Sequence, residues 1–343
     1  MITCFGELLV RLSTQNFETF AQAQKVDISY GGAEANVAAS LAIFGENVQY
    51  ITTLPHTIQA QAASQSLQKW GVNTQNIVWK GTKMGLYYLE TGQGLRGAKV
   101  VYDRAHSSFA EAGTNGYDWQ AILKGTTWLH WSGISPAVSQ KAADATLEAL
   151  KAAHNMGITI SADLNYRSKL WQYGATPAAI MEPLISHTHH VFGGIDAPEI
   201  YFGIVPKGKK TVKNATLTPD DLHSICTQFS QKFSNIKSVA STLRTIHHVS
   251  HHGLSGMVWH DDELYTGKTY AMHNMVDRVG GGDAFMAAYI YGLIHFGKDY
   301  KKILNFASAA CALKHYIPAD VNTSTLDDVN TLMNSDQISI ISR

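Results

Sequence analysis

Cysteine is scarce: Cys4, Cys226 and Cys311 are the three in 343 residues, odd in number and far apart. That excludes a disulfide framework and a cysteine-based metal motif, and it fits a reducing compartment. Net charge is missing too, because 27 basic residues balance 27 acidic ones. Nothing in the electrostatics argues for nucleic acid or an anionic membrane as partner. No apolar run reaches membrane-spanning length. The first residues have no basic stretch leading into an apolar core, and Gly6 and Glu7 arrive early. A leader peptide is therefore not expected, and a cytoplasmic protein is the default. No internal repeat or low-complexity segment is evident. There is no G-x-x-x-x-G-K-[ST] stretch, so a P-loop fold is disfavoured.

What is present is alternation. "ITCFG", "VQYITTL", "TTWLHWSG", "ITISADLN" and "SVASTLR" read as strands. Between and after them, 33–45, 58–71, 139–157 and 218–233 read as helices, with Thr218 as an N-cap, and two last helices begin near Asp283 and Tyr300. Repeated strand–helix alternation predicts an α/β fold, a mainly parallel sheet with helices on both faces. Ligands in such folds lie at the C-terminal strand ends. Two stretches, 13–31 and 86–110, lack a helical period, and "GLYYLETGQGLRGAKVVYDRA" reads as a hairpin. They predict a small β lid over a core made of 1–12, 32–85 and 111–343; a plain surface hairpin is the alternative.

The segment "DRVGGGDAF" (277–285) places three glycines and an aspartate just before an apolar helix. Unpaired N–H groups and the helix dipole make such an end an anion site. A carboxylate there repels an anion unless it has a task, such as taking a proton from an attacking hydroxyl. The plain alternative is a glycine turn with Asp283 as a first-turn cap.

With this layout, "GGAEANVA" (31–38), "DLNYR" (163–167) and "DRVGGGD" (277–283) occur in that order. The chain thereby resembles the ribokinase-like, or PfkB, family of carbohydrate kinases over essentially its whole length. Its likeness is greatest to the 2-keto-3-deoxygluconate kinase branch. The family signature usually reads D-T-x-G-A-G-D; here Arg278 replaces threonine and Gly281 replaces alanine. The resemblance implies that Asp283 is the catalytic base and that Gly280, Gly281 and Gly282 stabilise charge on the transferred phosphoryl group. It implies ATP as phosphoryl donor with nucleotide-chelated Mg2+, and it leaves a monovalent-cation requirement open. Gly32 and Asn36 match the sugar-binding turn and helix, with Glu34 where fructokinase-like members often have proline.

A keto-deoxy sugar acid carries a carboxylate, which guanidinium groups grip in two places. Tyr102 and Arg104 share one face of a lid strand, and Arg167 follows a strand at its loop end. Together with Tyr87 they resemble the branch's substrate-binding positions. On the nucleotide side, the resemblance points to Asn165, Arg167, Thr242, Arg244, Gly253, Gly280, Gly282 and Asn305. The family's N-x-x-E segment is degenerate, with Gly194 and Ala197 at its ends and Asp196 or Glu199 as substitutes. Two histidine clusters, 187–190 and 247–252, lack the partners of a zinc site, so no protein metal site is expected. The partners expected are a small sugar acid, ATP and a second copy joined through the lid, which would cover Tyr87, Leu89, Val101 and Tyr102. The alternatives are a fructose, ribose or nucleoside kinase, and a non-catalytic sugar-binding regulator.

Overall fold

The computed structural model describes residues 1–93, 95–213, 215–248 and 251–335. Its main sheet is ordered β14-β13-β12-β11-β10-β9-β1-β4, with β15 beside β13. The parallel part comprises β1 (Ile2–Phe5), β4 (Val48–Ile51), β9 (Trp128–Ser132), β10 (Thr159–Asp163), β11 (His190–Phe192) and the start of β12 (Ser238–His248). An antiparallel edge of β13 (His251–His260), β14 (Glu263–Thr266) and β15 (Tyr270–Met272) completes it. The central strands are buried on both faces, as expected of parallel strands. Helices Ala33–Ile43, Ile58–Gln68, Gly281–His295 and Tyr300–Lys314 supply the core of one face. Helices Gln140–Asn155, Pro177–Ile185 and Pro219–Lys232 supply the other. Thr218 caps its helix with a full capping box, as its sequence predicts. The same T-x-x-D signal at Thr325 starts a further helix, Leu326–Asn334, that the apolar pattern alone did not single out.

A second sheet, ordered β3-β2-β7-β8, stands over the C-terminal strand ends. It consists of β2 (Leu9–Thr14), β3 (Val26–Gly31), β7 (Gly85–Glu90) and β8 (Lys99–Asp103). A small pair, β5 (Thr53–Leu54) with β6 (Val78–Trp79), lies apart from it. The lid sheet starts at Leu9, earlier than the predicted 13, because the hairpin with β3 pairs Leu9 with Gly31. Alternation sorts its side chains. Leu9, Arg11, Tyr87, Leu89 and Tyr102 face inward, and Leu9, Tyr87 and Leu89 form a small apolar cluster with Tyr102 and Val279. Leu12, Ile28, Tyr88 and Val101 fall on the outer face, where Ile28 is 64% and Val101 59% exposed. Leu89 is therefore inner core and not, as the sequence suggested, part of a surface awaiting cover.

Candidate active site

The ends of β1, β9 and β10 meet two helix N-termini, and the site is built there. Asp283 lies in the first turn of Gly281–His295, whose N-cap Gly280 is left-handed at φ 82°. A side chain at Gly280 would overlap the Asp320 carbonyl, and one at Gly281 would lie 2.7 Å from the His315 ring. The one glycine that replaces a family residue thus has a packing cause: His315 sits directly under Gly281. The first helical bond of this end runs from Ala284 N–H to the Gly280 carbonyl at 2.9 Å, and Gly281 N–H makes a long turn contact to the Arg278 carbonyl at 3.4 Å, so the N–H groups of Gly280 and Gly282 have no such bond among the described residues and face outward for an anion.

Asp283 is buried, and its Oδ2 accepts from Asn36 Nδ2 at 2.7 Å. Burial pushes its carboxyl up to about 8; the Asn36 bond opposes this, while Asp163, Asp320 and Glu34 add to it. Asn36 Oδ1 in turn accepts from Gly32 N–H at 3.4 Å. Asn36 thus holds the Asp283 carboxylate, with one bond at each end of its amide. Gly32 also has a packing reason, since a side chain there would strike the Glu7 carbonyl. Its smallness lets two backbone segments approach each other.

Sequence reasoning did not single out Asp163 or assign a contact to Glu34. Asp163 ends β10 and is buried; desolvation raises its carboxyl to about 7 against the opposing charge of Arg167. Its Oδ1 accepts from Asn165 N–H at 3.0 Å, which fixes Asn165 at φ 37°. Glu34 is fully buried, and its Oε1 accepts from Ser132 N–H at 3.1 Å and from the hydroxyls of Ser132 and Ser135 at 2.7 Å each. Glu34 therefore joins the helix Ala33–Ile43 to the end of β9. Nothing short of the fold brings these partners together, so no local signal exposes them.

Among the cations, Arg104 is buried against Glu7, with Nε and Nη2 both 2.7 Å from Oε2. Its Nη1 is buried and has no hydrogen-bond partner among the described residues. Tyr102 lies under that guanidinium at 5.7 Å, and Tyr87 stands opposite Tyr102 in the register. The Tyr87 hydroxyl is engaged, donating to Asp320 Oδ1. Arg167 is exposed beyond β10, and its Nη1 donates to the Tyr166 carbonyl at 2.9 Å. Its neighbour Lys169 reaches the lid, donating to the Val100 carbonyl at 3.4 Å.

On the other side of the turn, Arg244, Gly253, Arg278 and His315 line a narrow pocket. Burial lowers His315 to about 4, so its ring is neutral. Two arginines and a neutral imidazole beside open N–H groups suit a polyphosphate. Thr242 lies further along β12, opposite Gly256, and does not line this pocket. The stretch between these residues forms the long β12–β13 hairpin. The side chains of His247, His248, His251 and His252 at its tip lie outside the described residues. Asn305 Oδ1 accepts from Lys268 N–H at 2.7 Å and so fastens the loop after β14.

Of the two substitutes for N-x-x-E, Glu199 is occupied, accepting from Val212 N–H at 2.8 Å. Asp196 is exposed at the start of Ala197–Phe202 and makes no capping bond. Among the described residues, no group of three or more His, Cys, Asp and Glu side chains is placed to hold a metal. The first histidine cluster is dispersed: His189 Nδ1 accepts from Ile160 N–H, and His190 stacks on Trp128 and pairs with Ser238.

The model of the pfkB family of carbohydrate kinases matches residues 1–218 and 226–316. A 2-dehydro-3-deoxygalactonokinase of Haloferax volcanii is 26% identical over 97% of this chain and 96% of its own length. A 2-dehydro-3-deoxygluconokinase of Bacillus subtilis is 24% identical over 93% of this chain and 90% of its own. Among solved structures, the 2-dehydro-3-deoxygluconokinase of Thermotoga maritima superposes with a TM-score of 0.90 at 36% identity, covering 97% of this chain and 98% of that one.

Proposed function

From the premise that this chain belongs to the pfkB family of carbohydrate kinases, we propose that it uses ATP to phosphorylate 2-keto-3-deoxygluconate at the terminal 6-hydroxyl. The products are 2-keto-3-deoxy-6-phosphogluconate and ADP. The observation that carries the substrate class is Arg104 Nη1, a buried donor without a partner. Such a group costs about 1–3 kcal/mol while unsatisfied. A sugar carboxylate satisfies it, and a neutral hexose offers no charge to do so. Arg167, exposed at the end of β10, supplies the second cation. The names of the relatives agree with a keto-deoxy sugar acid and differ in its stereochemistry.

In this reading Asp283 takes the proton of the terminal hydroxyl as its oxygen bonds to the γ-phosphorus and the bond to ADP breaks. The N–H groups of Gly280, Gly281 and Gly282 receive the charge that develops on the transferred group. Asn36 keeps the carboxylate aimed, and the lid face of Tyr87 and Tyr102 excludes water. Magnesium carried by the nucleotide neutralises the phosphates when bound, with Asp196 as the nearby carboxylate free of a helix-capping duty. A second copy covers the outer face of the lid, where Ile28 and Val101 are exposed, and the enzyme works in the cytoplasm as that homodimer. A coupled ADP-release assay over sugar acids and neutral sugars tests the assignment. The expected result is the highest kcat/KM with 2-keto-3-deoxygluconate or its galacto epimer; a preference for a neutral hexose overturns it.

A further inference from the structure

Arg11 sits on the inner face of β2, far in sequence from the turn it serves. Its Nη2 is 2.7 Å from Asp277 Oδ2, its Nη1 is 3.3 Å from Asp320 Oδ2, and its Nε donates to Ser13 Oγ at 2.7 Å. All three charged side chains are nearly inaccessible, at 4%, 9% and 3%. Burial opposes the charge on Arg11, but Asp320, Tyr87 and Asp277 outweigh it and hold the guanidinium protonated.

Each carboxylate also has a second duty. Asp277 Oδ1 accepts from Val279 N–H at 2.9 Å, so Asp277 shapes the backbone that runs into Gly280. Asp320 accepts from the Tyr87 hydroxyl, and it packs against Gly31 and Gly280. Lys314 is fully buried alongside, donating to the Ile317 carbonyl at 2.9 Å, with Asp277 and Asp320 resisting the effect of burial on its charge. Two cations thus balance two carboxylates directly under the anion-binding turn. Remove Arg11, and a net negative charge remains where a polyphosphate must dock, while the lid loses its tie to Asp277.

We propose that Arg11 is a positioning residue for phosphoryl transfer, a built-in cation that ties the lid to Asp277 and Asp320 and so sets the Gly280–Gly282 turn. It touches neither substrate. The proposal rests on the phosphoryl-transfer reading but not on the identity of the sugar, so its test uses whichever sugar the wild type accepts. A wrong substrate assignment leaves it intact.

The test compares full-length Arg11→Ala and Arg11→Lys with wild type by steady-state kinetics, with and without added guanidinium ion. Arg11→Ala is expected to lower kcat by about tenfold to a hundredfold, the rate equivalent of one lost charge-assisted contact. KM for the sugar is expected to change little, Arg11→Lys to retain part of the rate, and guanidinium to raise kcat of Arg11→Ala but not of wild type. An unchanged kcat, a loss confined to the sugar KM, or no response to guanidinium overturns the proposal. If Arg11→Ala does not fold, a double-mutant cycle of Arg11→Lys with Asp277→Asn decides. Non-additive losses in kcat support the tie, and additive ones overturn it.

Discussion

At the glycine turn before Asp283, backbone is pressed against buried groups: the Asp320 carbonyl at Gly280, the His315 ring at Gly281. In the lid, the strands are spaced normally, and side chains alternate between an inner face that meets the site and an outer face that meets solvent. The turn presents N–H groups whose positions depend on the absence of side chains. The lid presents side chains whose positions depend on register. A substitution at the turn therefore disturbs chemistry whatever its polarity, whereas a lid substitution acts according to which face it occupies.

The strongest way to break this contrast is Asp283→Asn. It is expected to cost roughly 10²–10⁴ in kcat while calorimetry still shows both substrates binding; near-normal turnover would remove Asp283 from the role of base. Its titration gives a second reading. With the carboxyl raised to about 8, kcat/KM should climb with pH and level off above that value. Stability should move the other way. Above the ordinary value of 3.8 the unfolded chain has released this proton while the folded chain keeps it, so stability falls as pH rises towards about 8. Asp283→Asn should flatten that fall in melting temperature, and an unchanged slope would assign the effect to other groups.

On the lid's side of the comparison, Arg104→Ala, and Arg167→Ala beyond the end of β10, should each raise KM for sugar acids by the equivalent of about 1.5–3 kcal/mol and leave neutral sugars less affected. Equal losses on both substrate classes would remove the carboxylate clamp. Gly281→Ala sharpens the claim about the turn. A methyl group 2.7 Å from His315 should cost about 1–3 kcal/mol in thermal stability and lower kcat as well, whereas a silent variant would mean the ring can move aside. The smallest catalytic effect belongs to the outer face. Val101→Asp should dissociate the proposed dimer in light scattering, and per-subunit kcat should fall less than for any variant above; a wild type of monomer mass would remove the dimer, and a variant of unchanged dimer mass would place the contact elsewhere.

Much of this was legible because it is local. The parallel strands, the helix starts at Ala33 and Pro219 and the glycine turn all follow from short-range pattern and capping chemistry. The duties of the motif residues were less legible. Asn36 reads as a sugar ligand, and its bond to Asp283, 247 positions away, has no trace in the local sequence. Glu34 reads as a variant of a motif until the end of β9 is set beside it, and the loop bonds accepted by Asn305 and Glu199 are likewise absent from the local pattern. Leu89 and Val101 look alike in sequence and differ only through register. In each case the deciding partner is remote in the chain, and no local periodicity encodes it.

The ion pair of Arg11 with Asp320 joins positions 309 apart, and β1 is held inside the main sheet between β4 and β9. A protein of such high contact order orders its native core late, because distant segments must meet before their contacts can form. On the ribosome the first strands wait for partners that emerge near the end of synthesis. An incomplete chain, lacking the helix that carries Asp283 or the loop that carries Asp320, has no anion-binding turn to assemble. Fragments from interrupted translation are thus inert towards the nucleotide pool, and their exposed apolar strands leave them to the chaperones and proteases of the cell.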